Sequence, residues 1–198
     1  MIILIFLPQF HTFERYQLEL FEPMPYTHSY ALSVSAFRGN SRSSVLWTTK
    51  PAMEFWMSVW KRAPNLIPCH AFCRIGEGKH ICFSKHYTGE AFDIPYPIGT
   101  TFEKHCNAYH ISETPSTQFP PIKFGCSNIY VLILQDALMT LGFDCAAIDG
   151  YWGKHTESAI RDFSRATSTS YSGEITPLLW KRLLFRASGC GIKKYIEM

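Results

Sequence analysis

The sequence has no dense run of lysine and arginine, and its formal net charge at pH 7 is only +3. It therefore lacks the basic stripe that tracks a phosphate backbone, and nucleic acid is not an expected partner. It also lacks a long apolar run. Met1-Ile-Ile-Leu-Ile-Phe-Leu7 stops at Pro8, too short to span a bilayer, with neither a basic leader nor an Ala-x-Ala-like cleavage site. Residues 1–12 read as an apolar N-terminal extension, an extra strand or a ragged end, with a cryptic export signal as the lesser reading. A regular cysteine framework is missing too. The seven cysteines (Cys69, Cys73, Cys82, Cys106, Cys126, Cys145 and Cys190) are odd in number and scattered, which favours reduced thiols over disulfides. No internal repeat or low-complexity tract is present.

What remains is globular. With 46% hydrophobic and 18% charged residues, the 198-residue chain can bury one ordinary core or two small ones, and disorder is excluded as its main state. Tyr30-Ala-Leu-Ser-Val-Ser-Ala-Phe37 alternates as a strand does. Val45 to about Arg62 reads as one helix, with Thr48 or Thr49 as cap, Pro51 in the first turn, and Met53, Trp56, Met57 and Trp60 on one face. Pro64 and Pro68 end it and lead to an expected strand, Cys69–Arg74, and a Gly76-Glu-Gly78 loop. From Pro95 to Pro121 the chain is rich in Pro, Thr, Ser and Gly, and the domain boundary is expected there.

The C-terminal third is the most legible. Val131, Leu134, Leu138 and Leu141 form a helical stripe that stops at Gly142. A second helix is expected from Lys154 to Arg165, burying Ala159, Ile160 and Phe163. A third begins at Thr176-Pro177, a cap followed by proline at the first helical position, and turns Leu179, Trp180, Leu183 and Leu184 inward. Between the first two lies Ile148-Asp-Gly-Tyr-Trp-Gly153, with a turn at Asp149-Gly150.

Leu134-Gln-Asp-Ala-Leu138, Leu141-Gly-Phe143, Ile148-Asp-Gly-Tyr-Trp-Gly153, Thr156, Phe163, Gly173 and Trp180 together resemble the peptidoglycan-binding module of bacterial cell-wall hydrolases. The resemblance implies a three-helix fold over residues 119–186 and peptidoglycan as the partner. Asp149, Tyr151 and Trp152 are its candidate ligand-binding residues, with turn and core roles as the alternative. One departure is Ser164, which stands where the module usually carries glutamine after the aromatic residue.

Upstream, Ser84-x-His86-x-x-Gly89-x-Ala91-x-Asp93 carries an imidazole and a carboxylate, both good zinc donors, around a glycine that lets the chain turn. The segment resembles the signature of zinc D-alanyl-D-alanine carboxypeptidases of the hedgehog/DD-peptidase fold. By that resemblance His86 and Asp93 are zinc ligands and Arg74 holds the substrate's carboxylate or developing charge. Ser84 supports the metal loop. Metal-assisted hydrolysis also needs a third ligand and a general base. His110 is the preferred candidate for that ligand, with His105 or Cys106 as substitutes, and Glu113 is the candidate base. A separate, structural zinc reading uses Cys69, His70, Cys73, His80 and Cys82.

The expected fold class is an α+β peptidase-like domain at 13–118, shortened at its C-terminal end, followed by an all-α bundle at 119–186 and a tail at 187–198. The expected function is a peptidoglycan-binding wall protein that hydrolyses stem-peptide bonds with zinc. The alternative is a binding protein with a degenerate peptidase domain. Either would act as a monomer without a membrane span. It would work in the bacterial wall or outside the cell by an export route not visible in the residues, and otherwise remain cytoplasmic.

Overall fold

The computed structural model describes residues 1–28, 30–68, 70–77, 83–95, 108–112 and 118–189, with backbone alone at 95 and 108–112. The chain folds into two compact units. One comprises residues 1–73 and 88–115, the other residues 74–87 and 116–198.

The first unit is built on a three-stranded sheet: β1 (Ile2–Leu7), β2 (Thr12–Gln17) and β3 (Val45–Thr49), in the order β2-β1-β3. The apolar N-terminal run is thus the middle strand rather than an appendage. β1 pairs antiparallel with β2, Ile2 opposite Gln17, and parallel with β3, Ile2 opposite Val45. Flanked on both edges, it has Ile3 to Leu7 buried, which is why it reads as continuously apolar instead of alternating.

Three sequence expectations change here. Tyr30–Phe37 is no strand, because Ser33 caps a short helix, α1 (Val34–Arg38), its hydroxyl accepting from the Ala36 N–H at 3.1 Å. The helix expected over 45–62 divides at Thr49, where β3 ends and α2 (Lys50–Arg62) begins. The Thr49 hydroxyl caps α2 through Ala52 N at 3.2 Å. Trp56 of α2 stacks on Phe92 at 4.8 Å and donates its indole N–H to the Ala31 carbonyl at 2.9 Å. A burying aromatic thereby satisfies its polar edge. β4 (Ala91–Pro95) and β5 (Ala108–Ser112) form a separate antiparallel pair. Of the strand expected at 69–74, the described residues 70–74 keep one isolated bridge, His70 with Asp93.

The second unit holds the three expected helices: α3 (Ile129–Thr140), α4 (Lys154–Ala166) and α5 (Pro177–Ala187). The Asn128 carboxamide accepts from Tyr130 N and Val131 N at 3.0 and 3.1 Å and starts α3, while Gly142 at φ +86° follows its end. Val131 to Leu138 are all buried, so α3 is the axis on which the other two pack. Trp180 is fully buried against Phe119, ring centroids 5.5 Å apart, and donates to the Pro120 carbonyl at 2.8 Å. The all-α expectation needs one amendment: β6 (Ile122–Lys123) pairs with β7 (Glu174–Ile175) and ties the entry of the unit to the start of α5. Among the described residues, no helix is long and apolar enough to cross a membrane.

Candidate functional site

The loop between α3 and α4 is held by one buried side chain. Gln135, 1% exposed on α3, accepts through Oε1 from the Asp149 and Gly150 N–H groups at 3.1 and 2.9 Å. Its Nε2 reaches Asp149 Oδ1 at 2.8 Å, and the Tyr151 carbonyl and Thr156 hydroxyl at 3.1 Å each. A carboxamide has two donor hydrogens and two acceptor lone pairs, so this network uses it completely. Asp149 in turn accepts from Tyr151 N at 2.9 Å, and Gly150 takes the left-handed φ of +76° that the turn requires.

The three candidate ligand residues therefore part company. Asp149 is exposed and Tyr151 is 52% exposed, its ring against Gly153, where an added Cβ would lie 3.2 Å from the ring. Trp152 is fully buried. Its indole N–H donates to Glu157 Oε2 at 3.0 Å, so of the two roles open to it, this residue takes that of core support. Glu157 also accepts from the Tyr171 hydroxyl at 2.7 Å and pairs with Arg161 at 2.6 Å. Burial, then the bond to Glu157, pushes the Tyr171 hydroxyl pKa up, so the phenol stays protonated as a donor.

Arg74 belongs to this helical unit. Its guanidinium pairs with Asp136 of α3, Nε to Oδ1 at 2.8 Å with Nη2 on the same oxygen, while Asp136 Oδ2 accepts from the Ile75 N–H at 2.9 Å. Burial raises the Asp136 pKa, against the opposing pull of Arg74 and of Ile75 N–H. The carboxylate that Arg74 holds here is one of the chain's own. Gln135, Asp136, Glu157 and Tyr171 are the residues that sequence reasoning passed over as site-builders. For the first two a signal existed: a polar pair inside an otherwise apolar helix demands buried partners.

The residues of the candidate metal segment are distributed as follows. His86 is 2% exposed, and its backbone N–H donates to Ser84 Oγ at 3.3 Å. Gly89 at φ +66° packs so closely that a Cβ would lie 2.2 Å from the Trp47 carbonyl oxygen. Its own carbonyl accepts from the Thr48 hydroxyl at 2.6 Å. Asp93 lies directly opposite His110 in the β4–β5 ladder. His86 falls in the helical unit and Asp93 in the other. Glu113, His105 and Cys106 lie outside the described residues, as do Cys69, His80 and Cys82 of the alternative zinc reading. Among the described residues, no group of three His, Cys, Asp or Glu side chains is placed to hold a metal ion. Cys126 and Cys145 are free thiols, and burial pushes that of Cys145 up to about 12.

Residues 129–183 match the family described as "Putative peptidoglycan binding domain". The match starts at the first residue of α3 and ends within α5, so it takes in the Gln135-held loop and all three helices. No curated protein and no solved structure is significantly similar to the chain.

Proposed function

We propose that the protein binds peptidoglycan through its helical unit, with Asp149 and Tyr151 at the contact surface, and that it works at the bacterial cell wall. The observation that carries this reading is the coincidence of the family match with a loop held rigidly from beneath. Gln135 fixes the 149–151 backbone, and Trp152 and Glu157 anchor the start of α4. Tyr151 is left as a half-exposed ring whose amphipathic face suits a sugar or peptide. The test is sedimentation of the full-length protein with purified sacculi. Co-sedimentation that falls on Tyr151→Ala without a change in the far-UV spectrum supports the reading. A wild-type protein that stays in the supernatant overturns it.

A second reading is supported by the Ser84–Asp93 segment: a zinc-dependent, D-Ala-D-Ala carboxypeptidase-like activity on stem peptides. In its favour are the register of Asp93 against His110, the buried His86 beside Ser84, and the tightly packed glycine between them at 89. Zinc, when bound, would polarise the scissile carbonyl and activate water. The donors among the described residues do not amount to a closed site, since structural and catalytic zinc alike take at least three protein ligands. No hydrolytic step is therefore assigned to His86, Asp93, His110, Glu113 or Arg74. Metal titration of the wild type beside His86→Ala decides the matter. Stoichiometric zinc lost in the variant supports the peptidase reading, and no zinc in either sinks it, leaving a binding protein with a degenerate domain.

A further inference from the structure

The outer face of α4 carries a surface depression of about 270 Å³ lined by Arg161, Ser164, Arg165 and Tyr171. We infer that this depression takes the free carboxylate end of a peptidoglycan stem peptide, with Arg161 and Arg165 as its anchors. The inference rests on the peptidoglycan-binding reading and adds to it a site and a ligand group.

Two guanidinium groups one helical turn apart face the same hollow, and a guanidinium presents a planar fork that matches a carboxylate. Arg161 is fixed on both sides. It pairs with Glu157 at 2.6 Å and lies over the Tyr171 ring, 5.4 Å from its centroid. The Glu157 side chain is only 17% exposed, and its other oxygen already accepts from Trp152 and Tyr171. That carboxylate therefore orients Arg161 from behind, and the guanidinium keeps further N–H donors for a ligand. Arg165 pairs with Asp162 at the surface, their side chains 76% and 48% exposed. An exposed pair of this kind contributes little and exchanges readily for a second carboxylate. The Ser164 hydroxyl donates to the Thr169 carbonyl, which leaves its oxygen as an acceptor for a peptide N–H. A small residue at 164 also leaves the hollow open where a longer side chain would fill it. The volume lies below that of a drug-sized pocket and suits the end of a short peptide rather than a glycan strand. With Glu157 and Asp162 nearby, a monoanionic carboxylate fits the local charge better than a dianionic phosphate.

The experiment is calorimetric titration of the full-length protein at low salt with three probes. These are a D-Ala-D-Ala-terminated stem pentapeptide with free carboxylates, the same peptide fully amidated, and inorganic phosphate. The free peptide is expected to bind, with amidation weakening it roughly ten-fold or more, the loss expected for a charge-assisted hydrogen-bonding anchor. Arg165→Gln, remote from the core, should reproduce that loss for the free peptide alone, and Ser164→Gln should weaken both peptides by filling the hollow. Equal affinity for free and amidated peptide, phosphate binding as tight as the peptide, or an unaltered Arg165→Gln each overturns the assignment. No peptide binding by a protein that still sediments with sacculi also overturns it and leaves the broader reading intact. Failure to sediment removes both.

Discussion

Replacing Arg74 by methionine isolates the cost of one buried charge. The Asp136 side chain is 1% exposed and accepts both Nε and Nη2 of Arg74 on Oδ1, with Ile75 N–H on Oδ2. Removing the arginine keeps the apolar stem and leaves a buried carboxylate with a single backbone donor, which costs about 3–5 kcal/mol. Removing both charges, Arg74→Met with Asp136→Leu, leaves no buried charge unpaired and is expected to cost less than about 2 kcal/mol, so the pair shows a large coupling energy. Guanidinium denaturation read by tryptophan fluorescence measures this, with Trp152 and Trp180 in the same unit. At a slope of roughly 3 kcal/mol per molar, the single variant's midpoint falls by about 1–1.7 M. Acid provides a second arm. A carboxyl whose folded pKa is raised contributes stability fully below its ordinary value of 3.8 and loses it as pH rises through the folded value. Arg74→Met raises that folded value further, so its deficit should shrink on acidification. A single variant within about 1 kcal/mol of the wild type, or a double variant costing the sum of both singles, would refute the account.

Gln135→Ala removes every bond that the Gln135 carboxamide makes to the 149–151 loop and orphans the Asp149 and Gly150 N–H groups; we expect about 2–4 kcal/mol of destabilisation by denaturant midpoint and a parallel loss of sacculus binding. Tyr151→Ala, at a half-exposed position, should leave stability within about 0.5 kcal/mol while lowering sacculus binding, and an equal fall in both would mark the ring as structural. Gly89→Ala forces a Cβ to 2.2 Å from the Trp47 carbonyl at a left-handed φ, and about 3 kcal/mol or more should be lost in the β-rich unit. A fully folded, unshifted Gly89→Ala protein would contradict that packing.

The helical unit was legible because its information is local. Thr176 and Pro177 mark a helix start, Gly142 marks an end, and 3.6-residue stripes run along the helices. The β-rich unit was less so. β1 and β3 are covered well enough to lose the alternating pattern, and Val45–Thr49 runs straight into a capped helix, so the two elements share one apolar stretch. At α1, the Ser33 hydroxyl caps a short helix inside a segment whose alternation reads as a strand. The candidate site was legible in part. The Asp149-Gly150 turn follows from its residue types, but the partner that holds it lies 14 residues back, on another element. The fate of Arg74 was not legible at all, since its carboxylate is 62 positions away.

That long reach has a consequence for how the protein can be cut. The chain enters the helical unit at residue 74, leaves it at 87 and returns at 116, so the polypeptide is woven through both bodies rather than strung from one to the next. Severing it in the Pro-rich stretch before Phe119 would yield two fragments without yielding two intact units. The upstream fragment would carry Arg74 and the downstream fragment Asp136, so their ion pair would bridge the cut. A nick there should therefore go unnoticed in native gels, with both pieces held together until denaturant is added. Helices α3–α5, transplanted alone onto another protein, should gain stability when residues 74–77 travel with them.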